Sequence, residues 1–302
     1  MLSIHTTTTT TASTRFRSSA GSTVGRLVRG WLALSVGACL LATASMAFAD
    51  ETLDKIQRLK ALSIGVLIGG DAFGSLDPAT QRPVGYQVDL AQEVAKRLGV
   101  QAQIVPVTTA TRVQFLQSGK VDLLLASFVR TPEREELLSI VPTPYYQSGG
   151  MLLTRKNSGI DRLDDVRGKT ICVSQGSSFA KPLEQQHGAI IKGLKSSSES
   201  LLVLRGGACA GAVHASTVIA PLFEAQSGKA GEEWSDFRIA VSDIDPAPWV
   251  AAARKGERNF TAALDQVFRQ LHAEGFFIAT ERKYRILPHA KALDAWRQQF
   301  GQ

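Results

Sequence analysis

The sequence of 302 residues contains 44% hydrophobic and 20% charged residues, enough apolar material for one large or two small folded domains. The formal net charge of +7 overstates how basic the folded part is. Four of the 34 Lys and Arg residues lie in an acid-free stretch at the start, so the rest would carry 30 basic and 27 acidic residues. The rest shows no Lys and Arg cluster interleaved with aromatic residues, which argues against a nucleic-acid partner.

Residues 1–49 have the features of a signal peptide. An apolar run from Trp31 to Met46 ends in Ala47-Phe48-Ala49, the small-residue pattern that a signal peptidase accepts, so we predict cleavage after Ala49. The run is shorter than the roughly 20 residues needed to cross a bilayer, which argues against a membrane anchor. Lipoprotein processing at Cys39 is the less favoured alternative, because the residues after it remain apolar. We expect an exported, periplasmic protein.

From Leu62 onward, short apolar segments alternate with amphipathic helices, a pattern typical of α/β units on a mostly parallel sheet. Apolar residues spaced three and four apart predict helices over 88–98 and 260–273. Gly99 and Gly275 lie just beyond the ends of these helices, where glycine commonly stops a helix. Strands are predicted over 62–68, 103–107, 121–127, 170–174, 190–194, 210–214, 237–241 and 250–254.

Two extended breaks interrupt this alternation, at Pro144–Gly150 and at Asp245–Trp249. A complete α/β set lies between them. This layout predicts one lobe inserted into another through two hinge segments. The predicted boundaries are 50–144 for the first part of lobe 1, 145–149 for the first hinge, 150–244 for lobe 2, 245–249 for the second hinge and 250–302 for the second part of lobe 1.

The segment from Ala126 to Arg134 is the most informative about function. It follows a predicted strand and opens a helix, with Thr131 as the N-cap and Pro132 at the first helical position. Backbone N–H groups at a helix start attract anions, and Arg134 can offer two parallel donors to a carboxylate. An arginine on a solvated helix face would give the same pattern.

A second segment, Gln175-Gly176-Ser177-Ser178, repeats this arrangement after the strand predicted over 170–174. Such turns at the carboxyl end of a strand are where α/β sheets bind ligands, although an ordinary helix cap would use the same residues. His214 closes another strand, where a lone histidine is more often packed or solvated than functional.

The sequence lacks the common motifs of catalysis. The sequence has no G-x-S-x-G elbow, H-E-x-x-H pair, Walker loop or G-x-G-x-x-G after a strand. The histidines beyond the leader have no metal-ligand spacing with the cysteines. We therefore expect no catalytic residue, no cofactor and no metal. The histidines are His187, His214, His272 and His289.

Two cysteines, Cys172 and Cys209, remain beyond the leader. An even number in an oxidising compartment is consistent with a disulfide. The strands near them are expected to be parallel neighbours, which would bring the thiols together. Two buried, unpaired thiols are the alternative.

Several segments in a fixed order make the chain resemble the extracytoplasmic solute-binding proteins of polar amino acid ABC transporters, over nearly all of 57–285. Any one of these segments is weak by itself, and their order is the specific feature. They are Gly85–Ala91, Leu116–Asp122, Thr131–Arg134, Pro144–Tyr146, Gly168–Val173 and Ala253–Gly256.

The resemblance implies the type II periplasmic binding protein fold, in which two α/β lobes close around an amino acid or a related small carboxylate. It also implies delivery to an ABC permease, and we expect a monomer. Arg134 matches the arginine that holds the ligand carboxylate, and His214 matches a position that contacts the ligand side chain in glutamine receptors. The predicted ligand-binding residues are Gly70, Asp71, Phe73, Thr109, Ser127, Val129, Arg134, Ser177, Ser178 and His214.

The departures from the family bear on specificity. Ala215 stands where the family usually has an aspartate that binds the ligand ammonium, and Gly70 and Thr109 replace residues that are often bulky. An unpaired ammonium in a closed cleft would cost several kcal/mol. Either another acid such as Asp71 reaches it, or the ligand has no free α-amine. Alternatives to a transport receptor are a periplasmic enzyme resembling cyclohexadienyl dehydratase and the ligand-binding component of a signalling system.

Overall fold

The computed structural model describes residues 51–69, 72–224, 232–286 and 290–300. The predicted signal peptide, with Cys39 and Ala49, lies outside these residues, as do the predicted ligand-binding residues Gly70 and Asp71. Within the described ranges, every helix is too short or too polar to cross a lipid bilayer.

Strands and helices alternate along the chain, as the hydrophobic pattern predicts. The strands are β1 (Ala61–Leu67), β2 (Ser75–Leu76), β3 (Pro83–Val84), β4 (Gln101–Val107), β5 (Leu123–Val129), β6 (Leu138–Ile140), β7 (Tyr146–Arg155), β8 (Thr170–Ser174), β9 (Ile190–Leu194), β10 (Gly211–Ala215) and β11 (Phe237–Arg254). The helices are α1 (Glu51–Leu59), α2 (Tyr86–Arg97), α3 (Arg112–Gln117), α4 (Pro132–Leu137), α5 (Ala180–Gln185), α6 (Ser197–Arg205), α7 (Ser216–Ile219), α8 (Pro221–Glu224), α9 (Arg258–Ala273), α10 (Phe276–Lys283) and α11 (Ala292–Phe300).

Among the described residues, nine strands form one continuous sheet in the order β4-β1-β5-β11-β7-β10-β8-β9, with β6 also paired to β11. β1 is parallel to β4 and β5, and β8 is parallel to β9 and β10. We call the part built on β1, β4, β5 and β6 lobe 1 and the part built on β8, β9 and β10 lobe 2. The antiparallel strands β7 and β11 connect the two lobes. β7 pairs with β10 of lobe 2 and also with β11, and the end of β11 pairs with β5 and β6 of lobe 1.

The prediction of separate strands over 237–241 and 250–254 is wrong, because β11 is continuous over 18 residues. Its pairing with β7 shifts register three times between Ile239 and Ala247, and Asp243 and Asp245 have φ values of 55° and 43°. Such bulges let a strand bend and carry residues that do not fit a regular ladder. Pro246 and Pro248 lack an N–H donor, so the sequence predicted a break between two strands at this point. In the structure the strand bends there and continues.

Aromatic residues pack where β7 begins and where β11 enters lobe 1. The ring of Phe73 lies 4.7 Å from that of Tyr146 and 4.9 Å from that of Trp249, with Tyr86 against the same group. All four side chains are buried, and burying a large apolar side chain stabilises a fold by roughly 1.5–3 kcal/mol. This packing fixes Trp249 at the point where the connecting strands meet lobe 1.

The predicted disulfide is confirmed. Cys172 lies in β8 beside Ala212 of the parallel strand β10, and Cys209 lies just before that strand. The two Cα atoms are 5.8 Å apart, within the range that a disulfide requires. The bond therefore ties the central strand of lobe 2 to the turn that leads into its neighbour.

Candidate functional site

A cavity of about 80 Å³ lies between the two lobes. Its wall includes Leu67 and Val129 at the carboxyl ends of β1 and β5, and Ser174 and Ala215 at those of β8 and β10. The carboxyl ends of parallel strands are where open α/β sheets bind ligands. The other lining residues are Thr109, Arg112, Ser127, Ser177, Ser178, Phe179, Ser197, His214, Thr217, Val218 and Trp249.

Arg112 is the cationic residue on the lobe 1 side of this wall. It starts α3 and is only 4% exposed. Its Nη1 atom donates to the carbonyl oxygens of Ala126 and Ser127, and Nη2 donates to that of Gly176 in lobe 2 at 3.4 Å. Its Nε atom is buried without a hydrogen-bond partner among the described residues. Arg112 is thus a buried cation whose Nε–H donor is unused among the described residues.

Arg134 lies beside this wall and is not among the lining residues. The predicted helix start is confirmed, since Thr131 caps α4 by accepting a hydrogen bond from the Arg134 backbone N–H and Pro132 follows it. The Arg134 Nη1 atom donates to the Val129 carbonyl at 2.6 Å, and Nη2 donates to the Gly176 carbonyl at 2.9 Å. The guanidinium groups of Arg112 and Arg134 therefore meet at one carbonyl oxygen.

Both arginines lie close to the ring of Phe128, at 5.1 Å for Arg112 and 4.4 Å for Arg134. Burial lowers the pKa of Arg112 to about 9, with a further contribution from the nearby positive charge of Arg134. Burial likewise lowers the pKa of Arg134 to about 10. Both values lie above neutral pH, so both groups stay charged. In the described structure, their side-chain hydrogen bonds go to backbone carbonyls and none goes to a carboxylate.

Ser127 lines the cavity in a left-handed backbone conformation, with φ at 49°. This region is uncommon for residues other than glycine, and such conformations cluster at functional sites. Its backbone N–H donates to the hydroxyl of the buried Tyr145 at 2.9 Å, which holds the strained residue in place. The strand end therefore presents Ser127 to the cavity at an energetic cost.

On the lobe 2 side, the turn after β8 approaches lobe 1 closely. Gly176 has φ at 77°, and a Cβ atom there would lie 2.9 Å from the Thr109 carbonyl oxygen, so the turn needs glycine. α5 begins at Ala180 with Phe179 as its N-cap, so the predicted helix starts later than expected and neither serine caps it. Ser177 and Ser178 lie instead in the turn and line the cavity.

His214 lies in β10 and is 4% exposed. Its Nε2 atom is hydrogen-bonded to the Ser200 hydroxyl at 2.8 Å. Burial lowers the pKa of His214 to about 4, because water no longer stabilises the imidazolium form. The imidazole is therefore neutral at neutral pH and contributes polarity to the cavity but no charge.

The structure brings most of the described predicted residues to the cavity wall. Phe73 is instead packed into the aromatic core, as expected for an apolar side chain that can be buried completely. The sequence reasoning missed Arg112, although it follows the loop at the carboxyl end of β4, a position where α/β sheets place ligand contacts. The predicted residues on the wall are Thr109, Ser127, Val129, Ser177, Ser178 and His214.

The profile of the family described as bacterial extracellular solute-binding proteins, family 3, matches residues 62–286. A glutamine-binding protein of Geobacillus stearothermophilus is 30% identical over 45% of this chain, and the match spans 53% of that relative. An L-glutamate/L-aspartate-binding protein of Pseudomonas aeruginosa is 23% identical, with 83% of this chain and 85% of that relative covered.

Solved structures of similar fold agree with this match. A cysteine-binding protein from Campylobacter jejuni superposes with a TM-score of 0.67 at 27% identity, covering 80% of this chain and 93% of that one. An ancestral amino acid-binding protein described as a precursor of cyclohexadienyl dehydratase superposes with a TM-score of 0.66 at 23% identity, covering 77% and 99%. These likenesses confirm the predicted fold, the two-lobed type II periplasmic binding protein.

Proposed function

Since this chain belongs to family 3 of the bacterial extracellular solute-binding proteins, we propose that it is the periplasmic receptor of an ABC importer and binds an amino acid or a related small carboxylate. The observation that carries the proposal is the buried, unpaired Arg112 on the wall of a cavity lined by both lobes. A buried cation is costly unless an anion accompanies it, and a ligand carboxylate would be that anion.

The ligand would compete with a backbone carbonyl for the arginines. Arg112 and Arg134 both donate to the Gly176 carbonyl, a neutral acceptor. A carboxylate accepts roughly twice as strongly as a neutral group and can take two parallel N–H donors. We therefore assign Arg134 the role of second carboxylate contact, reached when its donor to Gly176 moves to the ligand. Ser127 and Val129 from lobe 1 and Ser178 from lobe 2 complete the proposed contacts.

Hinge bending at 145–149 and 245–249 would open and close the cleft. These segments lie on or next to β7 and β11, the strands that connect the lobes, and the pairing of β11 with β7 shifts register between Ile244 and Ala247, at the start of the second segment. Few residues need to change conformation in such a hinge. A ligand that contacts both lobes shifts the equilibrium to the closed form by its difference in affinity for the two forms. The closed form would then dock on the membrane permease as a monomer.

A thermal-unfolding screen tests the receptor function directly. The protein purified from the periplasm would be heated with each of the amino acids, their derivatives and amine-free carboxylates. A ligand that binds only the folded protein stabilises it by about 2.7 kcal/mol at a hundred times its dissociation constant, which raises the unfolding temperature by several degrees. The absence of a shift with every compound would refute the proposal.

The role of Arg134 is tested by Arg134→Ala, with Arg130→Ala as the matched control. Arg130 lies four residues earlier and forms an exposed salt bridge with Glu135 at 3.2 Å. We expect the affinity for the ligand found in the screen to fall at least about tenfold in Arg134→Ala and to stay unchanged in the control. If the affinity of Arg134→Ala stayed within about twofold of that of the unmodified protein, Arg134 would not be a ligand contact.

We favour a receptor over an enzyme on the same scaffold because a general acid must lie within hydrogen-bond reach of the substrate. The described lining residues include no Asp or Glu, and His214 is neutral and bonded to Ser200. Incubation with prephenate or arogenate, followed by product analysis, separates the two. Turnover by the purified protein would show that it is a dehydratase and would contradict the receptor function.

A further inference from the structure

We propose that the cleft is selective for a small dianion without an ammonium group, such as a dicarboxylate; this inference rests on the proposed receptor function and narrows its ligand class. The reason is the balance of charge around the cavity. Two cations, the buried Arg112 and the partly buried Arg134, converge on one side, and the described wall offers no acid to receive a ligand ammonium.

The two positive charges are close together. Arg112 and Arg134 donate to the same carbonyl oxygen of Gly176, at 3.4 and 2.9 Å, and both lie close to the ring of Phe128. Like charges at such a separation repel each other, and low solvent exposure strengthens the repulsion. A ligand with two negative charges could neutralise both guanidinium groups, whereas the single carboxylate of a neutral amino acid supplies one negative charge for two positive ones.

An ammonium group would have poor partners in this cleft. It carries three N–H donors and no acceptor, so it needs carboxylate or carbonyl oxygens. None of the described lining residues is Asp or Glu. The carbonyls nearest the cations, on Ala126, Ser127, Val129 and Gly176, already accept hydrogen bonds from the guanidinium groups. Among the described lining residues, an ammonium would therefore face two like charges without a counter-charge.

The rest of the wall suits oxyanions. Hydroxyl groups from both lobes line the cavity, and each can donate a hydrogen bond to a ligand oxygen. Because the arginines belong to lobe 1 and most of the hydroxyls to lobe 2, one dianion could contact both lobes and favour closure. The hydroxyl-bearing residues are Thr109, Ser127, Ser174, Ser177, Ser178, Ser197 and Thr217.

Titration calorimetry with matched pairs of ligands tests the proposal. Succinate would be compared with aspartate, glutarate with glutamate, and inorganic phosphate would serve as a dianion that is not a carboxylate. We expect the amine-free member of at least one pair to bind at least about tenfold more tightly, or phosphate to bind more tightly than either amino acid. The first result assigns a dicarboxylate and the second an inorganic dianion.

Two outcomes would overturn the inference. If aspartate, glutamate or a neutral amino acid such as glutamine bound as tightly as or more tightly than the amine-free dianions, the selectivity proposed here would be wrong and the receptor function would stand. If no carboxylate, phosphate or amino acid bound, the receptor function would fail as well.

Ala215→Asp gives a second test, with Ala215→Asn as a control of the same size without the charge. Ala215 ends β10 and lines the cavity, so a carboxylate there would supply the missing ammonium partner. We expect the affinity ratio of glutamate to glutarate to rise at least about tenfold in Ala215→Asp relative to Ala215→Asn. A ratio reports selectivity and is insensitive to a general loss of folded protein. Equal ratios in the two variants would count against the proposal.

Discussion

The charged side chains of lobe 1 that are removed from water have two different kinds of partner. Near its first helix, Asp122 accepts hydrogen bonds from Lys55 at 2.8 Å and from Arg254 at 3.3 Å, and Arg254 also reaches Glu257 at 3.5 Å. Thr52 donates its hydroxyl proton to Glu257. The Asp122 side chain is only 1% exposed, and each of its cations retains some exposure. Every charge in this paired cluster has an opposite charge beside it.

At the cleft, Arg112 is buried and Arg134 is partly buried, and among the described residues both donate only to backbone carbonyls. Burial of an unpaired charge is unfavourable, and the lowered pKa of each arginine reflects that cost. The difference indicates that the paired cluster contributes to the stability of the fold, whereas we propose that the two arginines at the cleft are retained for a ligand anion.

The largest effect is expected in the paired cluster. Asp122→Asn keeps the side-chain shape but removes the charge that both Lys55 and Arg254 face. Breaking a buried ion pair costs about 3 kcal/mol or more, so the free energy of unfolding in urea should fall by about that amount. Ligand affinity should not change, because Asp122 does not line the cavity.

An exposed pair provides the control for this variant. Asp164 pairs with Arg162 at 2.7 Å with both side chains mostly exposed, so Asp164→Asn should leave the urea midpoint nearly unchanged. Equal effects of the two substitutions on stability would mean that burial does not distinguish these ion pairs.

Arg112→Met should show the opposite behaviour. The affinity for the most tightly bound anion should fall about a hundredfold, because the substitution removes a buried charged partner of the ligand. The free energy of unfolding should change by less than about 1 kcal/mol, since relief of an unpaired buried charge offsets the lost bonds to Ala126 and Ser127. Calorimetry and urea unfolding measure the two quantities.

Arg130→Met is the control for Arg112→Met, because it removes an exposed arginine from the same lobe. An Arg112→Met protein that loses stability yet keeps its affinity would assign Arg112 to the fold and not to the site.

Sequence patterns predicted the parts of the molecule that depend on local chemistry. The apolar periodicity of α2 and α9, the Thr131 cap and the parallel strands around Cys172 are encoded in nearby residues. The continuity of β11 was missed, because its bulges depend on pairing with β7, which is distant in sequence.

The cavity was predicted less completely than the fold. Arg134 stood out because it belongs to a recognisable helix start, and it lies beside the cavity. Arg112 gave only the general signal of its position after β4, because its importance comes from burial and from carbonyls of β5 and of the lobe 2 turn. Whether a long side chain lines a cavity or packs behind its wall depends on tertiary contacts that periodicity does not contain.

The cleft also holds a group that burial keeps neutral. The pKa of His214 falls from its ordinary value of 6.5 to about 4 in the folded protein. The unfolded chain therefore binds a proton at a higher pH than the folded chain does. The contribution of neutral His214 to the free energy of unfolding is therefore fully present above pH 6.5. It is lost as the pH falls towards 4, by roughly 1.4 kcal/mol per pH unit in that range.

His214→Asn should reduce this dependence when urea unfolding is compared between pH 6.5 and 5. His272, whose pKa burial also lowers to about 4, should account for a slope that persists in the variant. An unchanged slope in His214→Asn would mean that His214 titrates alike in the folded and unfolded protein.

The smallest effect is expected at a salt bridge that crosses the mouth of the cleft. Lys181 of lobe 2 lies 2.6 Å from Glu133 of lobe 1, with side chains 64% and 59% exposed. The pair joins the two lobes, but water and salt screen it, so Glu133→Gln should weaken ligand binding by about twofold or less at low salt. The difference should vanish at high salt, whereas the loss in Arg112→Met should persist because Arg112 is buried. A tenfold loss at high salt in Glu133→Gln would show that exposed and buried cations contribute alike to closure, and burial would then no longer separate the cations that bind from those that do not.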